Sequence, residues 1–306
     1  MDTRRLRLLL ELSRLGSMRE VADALDITTS TVSQQIAVLA REAGTPLIEP
    51  DGRRVRLTPA GRRLAAHAVS ILAAVDAARL DLDPDAEPVG SVCVAGFASA
   101  IRRAVVPVIA DLAVTHPKVR VRIHEHEPPE AFALLGSDEV DLVLTYDYNL
   151  APASFDPTVE AIPLWSVPWG LGAPPGPAVH GALDTFRLHR DADWIVNSRH
   201  TADADAVRTV ASMAGFEPRI THRVDGLELV EDLIAAGLGV GLLPADRLPL
   251  PGTRLLPLAD PDVRLRAYAA VRRGHAAWPP LALVLERLTS SFSHTPGPAP
   301  GGVVAA

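Results

Sequence analysis

Residues 4–15 are rich in leucine at helical spacing, as in Leu6, Leu9 and Leu12, and Gly16 ends that helix. Ser17 stands three before Glu20, a capping box that starts a second helix running to about Leu25. Asp26-Ile27-Thr28 is a tight connection, and the spacing predicts a third helix from Thr29 to Ala43, closed by Gly44. Residues 45–57 hold Pro46, Pro50 and Asp51-Gly52 between β-branched flanks, which predicts a small hairpin or wing. Thr58-Pro59 then opens a long helix, proline being favoured at the first helical position. Its apolar positions Leu64, Ala68, Ile71, Val75, Ala78 and Leu82 alternate four and three apart, a heptad seam that asks for a partner helix. Packing on the chain's own core is the alternative. The stretch Asp83-Pro84-Asp85-Ala86-Glu87-Pro88 ends the helix as a linker.

From Ser91 the pattern changes to short apolar strands, predicted at 91–95, 119–125, 140–144, 161–168, 194–196, 219–224, 239–243 and 264–271. Helices are predicted at 100–115, 129–136, 203–214, 227–236 and 279–293. This alternation predicts an α/β domain built on largely parallel sheets, and its roughly 200 residues favour two lobes. The Pro-, Gly- and Ala-rich residues 295–306 read as a disordered tail.

Composition changes the picture mainly through the distribution of charge. The 306 residues carry a net charge of −7, yet residues 1–63 hold 11 Arg against 8 acidic residues and the remainder 19 basic against 29 acidic. A basic end on an acidic body suits a DNA-binding head joined to a sensor. No purely apolar stretch is long enough to span a membrane, and no export signal is evident at Met1-Asp2-Thr3-Arg4-Arg5. With one cysteine, Cys93, set in a strand as a core residue, the expected location is cytoplasmic.

On the third helix Val32, Ile36 and Leu39 form the inward stripe. Gln34 then lies opposite, Ser30 and Arg41 share its side, and Thr31, Ser33 and Gln35 flank it. Hydroxyl and carboxamide groups can read base edges or bond phosphates, although a solvated polar face fits the pattern as well. Gly16-Ser17, Val21-Ala22, Leu25, the run Thr28 to Ile36, Leu39, Gly44, Pro46-Leu47 and Arg53 through Gly61 together resemble the head of the LysR family of transcription regulators. The resemblance implies a winged helix-turn-helix over 1–60, a dimerising linker helix over 61–88 and an effector-binding domain over 89–294. It implies that Thr29, Ser30, Ser33 and Gln34 approach the major groove and that Arg53 and Arg54 lie on the wing near phosphates or the minor groove; Thr28, Thr31 and Gln35 are expected to join the DNA-binding set. Ile48 and Pro50 depart from the family's usual Phe and Arg, which weakens the wing assignment.

The resemblance continues over 89–292 and implies a two-lobed α/β effector domain of the type 2 periplasmic-binding-protein kind. Lobe I is expected at 91–162 and 268–292, and lobe II at 163–267. Cleft-facing loops are expected at Ala98-Ser99, at Thr145-Tyr146-Asp147 and at Asn197-Ser198-Arg199. Ser99 matches an effector-contacting position, and helix N-termini with Ser99 and Arg199 suggest a carboxylate or other small anion. The implied function is a sequence-specific regulator of double-stranded operator DNA, self-associating through 61–82, tuned by a small-molecule effector and meeting RNA polymerase. No cofactor is expected. Gly237-Leu238-Gly239-Val240-Gly241 lacks dinucleotide-binding spacing, and His124 with His126 is two ligands short of a metal site. An enzyme would lack every common motif here; an exported solute-binding protein would lack the basic head.

Overall fold

The computed structural model describes residues 1–51, 54–83, 86–177, 179–198 and 202–293. In the head, α1 (Thr3–Leu15), α2 (Met18–Ala24) and α3 (Thr29–Ala43) follow the predicted bounds to within a residue or two. Each start is fixed by a side-chain cap: Asp2 accepts from the Arg4 amide, Ser17 from Glu20 and Thr28 from Thr31. Gly16 and Gly44 close α1 and α3 in the left-handed conformation, φ 66° and 68°. Leu6, Leu9, Leu12, Val21, Val32, Ile36 and Leu39 are buried together as one core.

Strands β1 (Ile48–Asp51) and β2 (Arg54–Leu57) pair antiparallel as the wing, Ile48 opposite Leu57. The Thr58 hydroxyl donates to the Pro46 carbonyl at 2.8 Å and accepts from the Gly61 amide at 3.0 Å, tying the wing to α4 (Pro59–Leu82). Gly61 is required by close approach, since a Cβ there would stand 2.1 Å from the Leu47 carbonyl oxygen.

Helix α4 divides the predicted seam. Ala65, Ala68 and Leu72 are buried in the head's own core, because α1 runs beside them with its leucine face. Ile71 and Leu82 stay 38% and 84% exposed, so the face left over runs through Ile71, Ala74, Ala78 and Leu82. The predicted seam is therefore split, Ala68 packing on the head's own core while Ile71, Ala78 and Leu82 stay exposed. Farther along, the Ser70 hydroxyl donates to the Arg273 carbonyl at 3.1 Å, where Gly274 (φ 80°) admits the helix.

The larger domain begins with β3 (Gly90–Gly96), which leads into α5 (Ala98–Ala100), a π turn (Ile101–Val105) and α6 (Val106–Thr115). Pro107 lacks the amide that a regular helix would use there, a cause for the π turn. Next come β4 (Val119–Glu125), α7 (Pro128–Gly136), β5 (Leu142–Tyr148) and β6 (Val159–Ala173). The chain continues through α8 (Ala182–Leu188), β7 (Asp193–Val196), α9 (Ala202–Ala214), β8 (Arg219–Arg223), α10 (Leu227–Ala235), β9 (Val240–Pro244), β10 (Arg254–Pro257), β11 (Arg264–Arg272) and α11 (Pro279–Ser293).

The strand order β4-β3-β5-β11-β6-β9-β7-β8 joins two halves. Parallel pairing occurs inside each half, β4 and β5 on β3 and β8 and β9 on β7. The largely parallel expectation fails at the centre, where β11 and β6 cross between the halves and pair antiparallel with each other, with β5 and with β9. β6 is also longer than predicted. Its residues 159–168 pair with β11, and 169–173 continue into the second half beside β9 and β10. α8 and β10 were not anticipated: both are short, and proline-rich stretches flank them. Each half buries its own apolar cluster, one around Val94, Leu112, Leu142 and Val284, the other around Phe186, Trp194, Val207 and Leu242. Cys93 is buried, as expected of a core thiol, and burial pushes its pKa up.

Candidate functional site

Two sites emerge, one at each end of the chain. On α3 the buried stripe Val32, Ile36 and Leu39 turns Thr29, Ser30, Ser33 and Gln34 to solvent. Thr28 is committed to capping: its hydroxyl lies 2.8 Å from those of Ser30 and Thr31, and Thr31 is half-buried. Gln35 turns toward α1, where its carboxamide oxygen accepts from Arg5 Nε at 3.0 Å, and Arg5 also pairs with Glu42. The helix thus presents Thr29, Ser30, Ser33 and Gln34 as its outward reading row, while Thr28, Thr31 and Gln35 also brace it. Arg53 lies outside the described residues. Arg54 opens β2 opposite Asp51, and the wing's Arg56 pairs with Glu49 at 2.9 Å.

The second site is a cleft between the two halves of the larger domain. Ala98 and Ser99, exposed at the start of α5, line one side together with Arg102. Tyr146 forms part of the floor, with Phe97 edge-on to it at a 4.8 Å centroid distance. Thr145, Tyr146 and Asp147 belong to β5 itself and not to a loop, because this strand runs to Tyr148 along β11. Asp147 faces away to a bidentate pair with Arg266, both contacts 2.7 Å, which locks β5 to the crossing strand. Asn197, 5% exposed, donates to Glu127 at 3.2 Å and so ties the second half to the first. Ser198 does not line the cleft; its amide and hydroxyl hold Asp225 at 2.8 and 2.7 Å. Arg199 lies outside the described residues.

Sequence reasoning missed Arg102, Glu125, Glu127, Trp169, Asp203, Asp225 and Glu228, which also line the cleft. Glu125 and Glu127 were visible beside the two histidines, at the carboxyl end of β4, where open sheets place their ligands. At the rim Arg102 reaches Glu228 and Arg103 reaches Asp246, each at 3.3 Å, two ion pairs that span the halves. Burial lifts the Asp203 carboxyl to about 6; Tyr148 beside it pulls the other way and Asp225 adds to the rise.

An exposed polar helix on a winged head, followed by two lobes around a cleft, defines a DNA-binding regulator with a small-molecule sensor. Residues 3–62 match the family model of the bacterial regulatory helix-turn-helix protein of the lysR family, and residues 85–293 match the LysR substrate binding domain. The chain belongs to the LysR family of transcription regulators. It is 28% identical over 236 residues to a probable hydrogen peroxide-inducible genes activator of Mycobacterium avium, covering 76% of this chain and 74% of that protein. It is 25% identical over 249 residues to the transcriptional dual regulator GltC of Bacillus subtilis, covering 80% and 81%. Among solved structures, a full-length OxyR variant from Pseudomonas aeruginosa superposes with a TM-score of 0.71 at 21% identity, covering 96% of this chain and 95% of that one. CbnR complexed with its target DNA matches at a TM-score of 0.52 and 20% identity, over 95% and 100%. These likenesses describe a regulator and not an enzyme. Among the described residues no helix is long and apolar enough to cross a membrane.

Proposed function

We propose that this chain reads a partly palindromic operator with α3 and changes its grip when a small molecule occupies the cleft. The observation that carries the reading is the outward row Thr29, Ser30, Ser33 and Gln34 on a helix pinned from behind by three fully buried residues. Thr28, Thr31 and Gln35 support that row, and Arg53 with Arg54 would add phosphate contacts from the wing. In this reading the head spans 1–60, the linker helix 61–88 and the effector domain 89–294, with lobe I at 91–162 and 268–292 and lobe II at 163–267. Two copies associate through the face of α4 left exposed at Ile71, Ala74, Ala78 and Leu82, in the cytoplasm, where RNA polymerase is the further partner. Ala98, Ser99, Tyr146 and Asn197 contact the effector, and Ser198 anchors the adjoining Asp225.

The ligand acts only through a difference in affinity between cleft states. Closure is the natural variable, since Arg102–Glu228, Arg103–Asp246 and Asn197–Glu127 all span the halves. Thiol oxidation fits this chain poorly as the sensed event. Its single cysteine has no second thiol with which to close an internal disulfide, and its raised pKa keeps it in the unreactive thiol form. Sequencing the DNA that the purified chain retains from genomic fragments tests the reading. One enriched, partly symmetric site is expected, and retention without any enriched site would refute it.

A further inference from the structure

Among the described residues the lining of the cleft is acidic, opposite to the charge suggested by the helix N-termini. Its described lining holds five carboxylates, Glu125, Glu127, Asp203, Asp225 and Glu228, against the single guanidinium of Arg102. That guanidinium is already engaged at 3.3 Å with Glu228, which Arg247 approaches at 3.4 Å from the other side. Glu125 stands at the end of β4 on the first half, and Asp203 in the first turn of α9 on the second; neither forms an ion pair among the described residues. Asp203 Oδ1 is buried with no hydrogen-bond partner, the Tyr148 phenol lying beside it without closing a well-formed bond.

A second observation, independent of the acids, marks the same cavity as built for an occupant. Trp169 lines it, is 6% exposed, and its indole N–H finds no acceptor. Buried donors and acceptors are rarely left unmet, so an unmet donor and an unmet acceptor on one cavity wall call for a bound group that answers both. Phe97, Tyr146 and Trp169 add three aromatic rings to the lining, and rings beside carboxylates are the usual surroundings of a bound ammonium.

We propose that the effector is a small organic amine bound as its ammonium cation, held between Glu125 of the first lobe and Asp203 of the second and offering an oxygen acceptor to Trp169. An amino alcohol or an amino acid has this chemistry. The inference rests on the reading of the cleft as the effector site and replaces the anion expected from sequence. It also supplies the switch. Glu125 and Asp203, on opposite walls, work against the rim ion pairs Arg102–Glu228 and Arg103–Asp246 when the cleft is empty, whereas a cation between them is attracted to both and favours the closed form.

The test is the melting temperature of the full chain in titrations of ethanolamine, L-serine and L-lysine, with succinate and inorganic phosphate as the anionic arm. A saturable rise with at least one amine and none with the anions is expected. Glu125→Gln, an exposed position whose loss leaves the fold intact, should weaken that amine by about tenfold. Asp203→Asn should weaken it similarly, and the two variants need only keep the wild-type DNA affinity to count as folded. A rise with succinate or phosphate that Arg199→Ala removes would overturn the amine while leaving the cleft as the effector site. Absence of any amine effect, or an amine effect unchanged in both variants, would also overturn it, whereas loss of specific DNA binding by the unmodified chain would instead remove the reading on which it rests.

Discussion

Asp203→Asn exchanges a buried acid for an amide of the same shape and should stabilise the ligand-free protein. In the fold, burial raises the carboxyl from 3.8 to about 6, so the folded chain holds a proton that the unfolded chain releases. A rise of that size corresponds to about 3 kcal/mol. Between the two values the folded state binds more protons, so stability falls as pH climbs from about 4 to about 6 and then levels off. Near pH 4 the acid is neutral and the substitution should change little. Near pH 8 the variant lacks the cost of a buried charge and should be more stable by up to about 3 kcal/mol, less any imperfection in the new amide's hydrogen bonds. For a domain of this size that is a rise of roughly 6–12 °C in melting temperature. Melting curves of both proteins across this pH range, without ligand, read the effect directly. A variant less stable than wild type near pH 8, or a difference that ignores pH, would refute the buried-acid account.

Gln34→Ala should relax preference at one operator position by about 1–3 kcal/mol and leave the salt dependence nearly unchanged, as read on a library of operator variants. Replacing Arg53 and Arg54 together with Ala should weaken binding to every sequence and flatten the salt slope in a filter-binding titration. Ile71→Asp with Ala78→Asp places charge on the exposed face of α4 and should yield smaller species by sedimentation without altering the melting of the head. Gly61→Ala drives a Cβ onto the Leu47 carbonyl and should lower head stability by about 1–3 kcal/mol, whether or not DNA is present.

The head was legible because its determinants are local. Caps at Ser17, Thr28 and Thr58 and glycines at 16 and 44 mark the ends, and the Val32, Ile36 and Leu39 stripe orients the reading face without reference to distant residues. The double use of α4 was not legible, since nothing in its heptad says that α1 covers Ala65 and Ala68 while Ile71 stays exposed. In the sensor the strand pattern was visible, but the length of β6 was hidden by Pro163 and Pro168, and the extension of β5 through Tyr148 by the polar Thr145 and Asp147, which meet partners on β11. The cleft was half legible. Ala98, Ser99, Tyr146 and Asn197, named from strand ends, line the cavity, Tyr146 from within β5 and not from a loop, whereas its acidity comes from β4, α9 and the α10 start, elements far apart in sequence. Its traces in the sequence were the acidic excess of the sensor and the Glu125 and Glu127 pair at the end of β4.

Sequence-specific DNA binding through α3 is read out by competition at physiological salt between the enriched genomic site and a scrambled duplex of equal length and composition. The account predicts that the site is preferred by about a thousandfold or more and that Gln34→Ala reduces the ratio chiefly by weakening the site. Equal affinity for the two duplexes would contradict it.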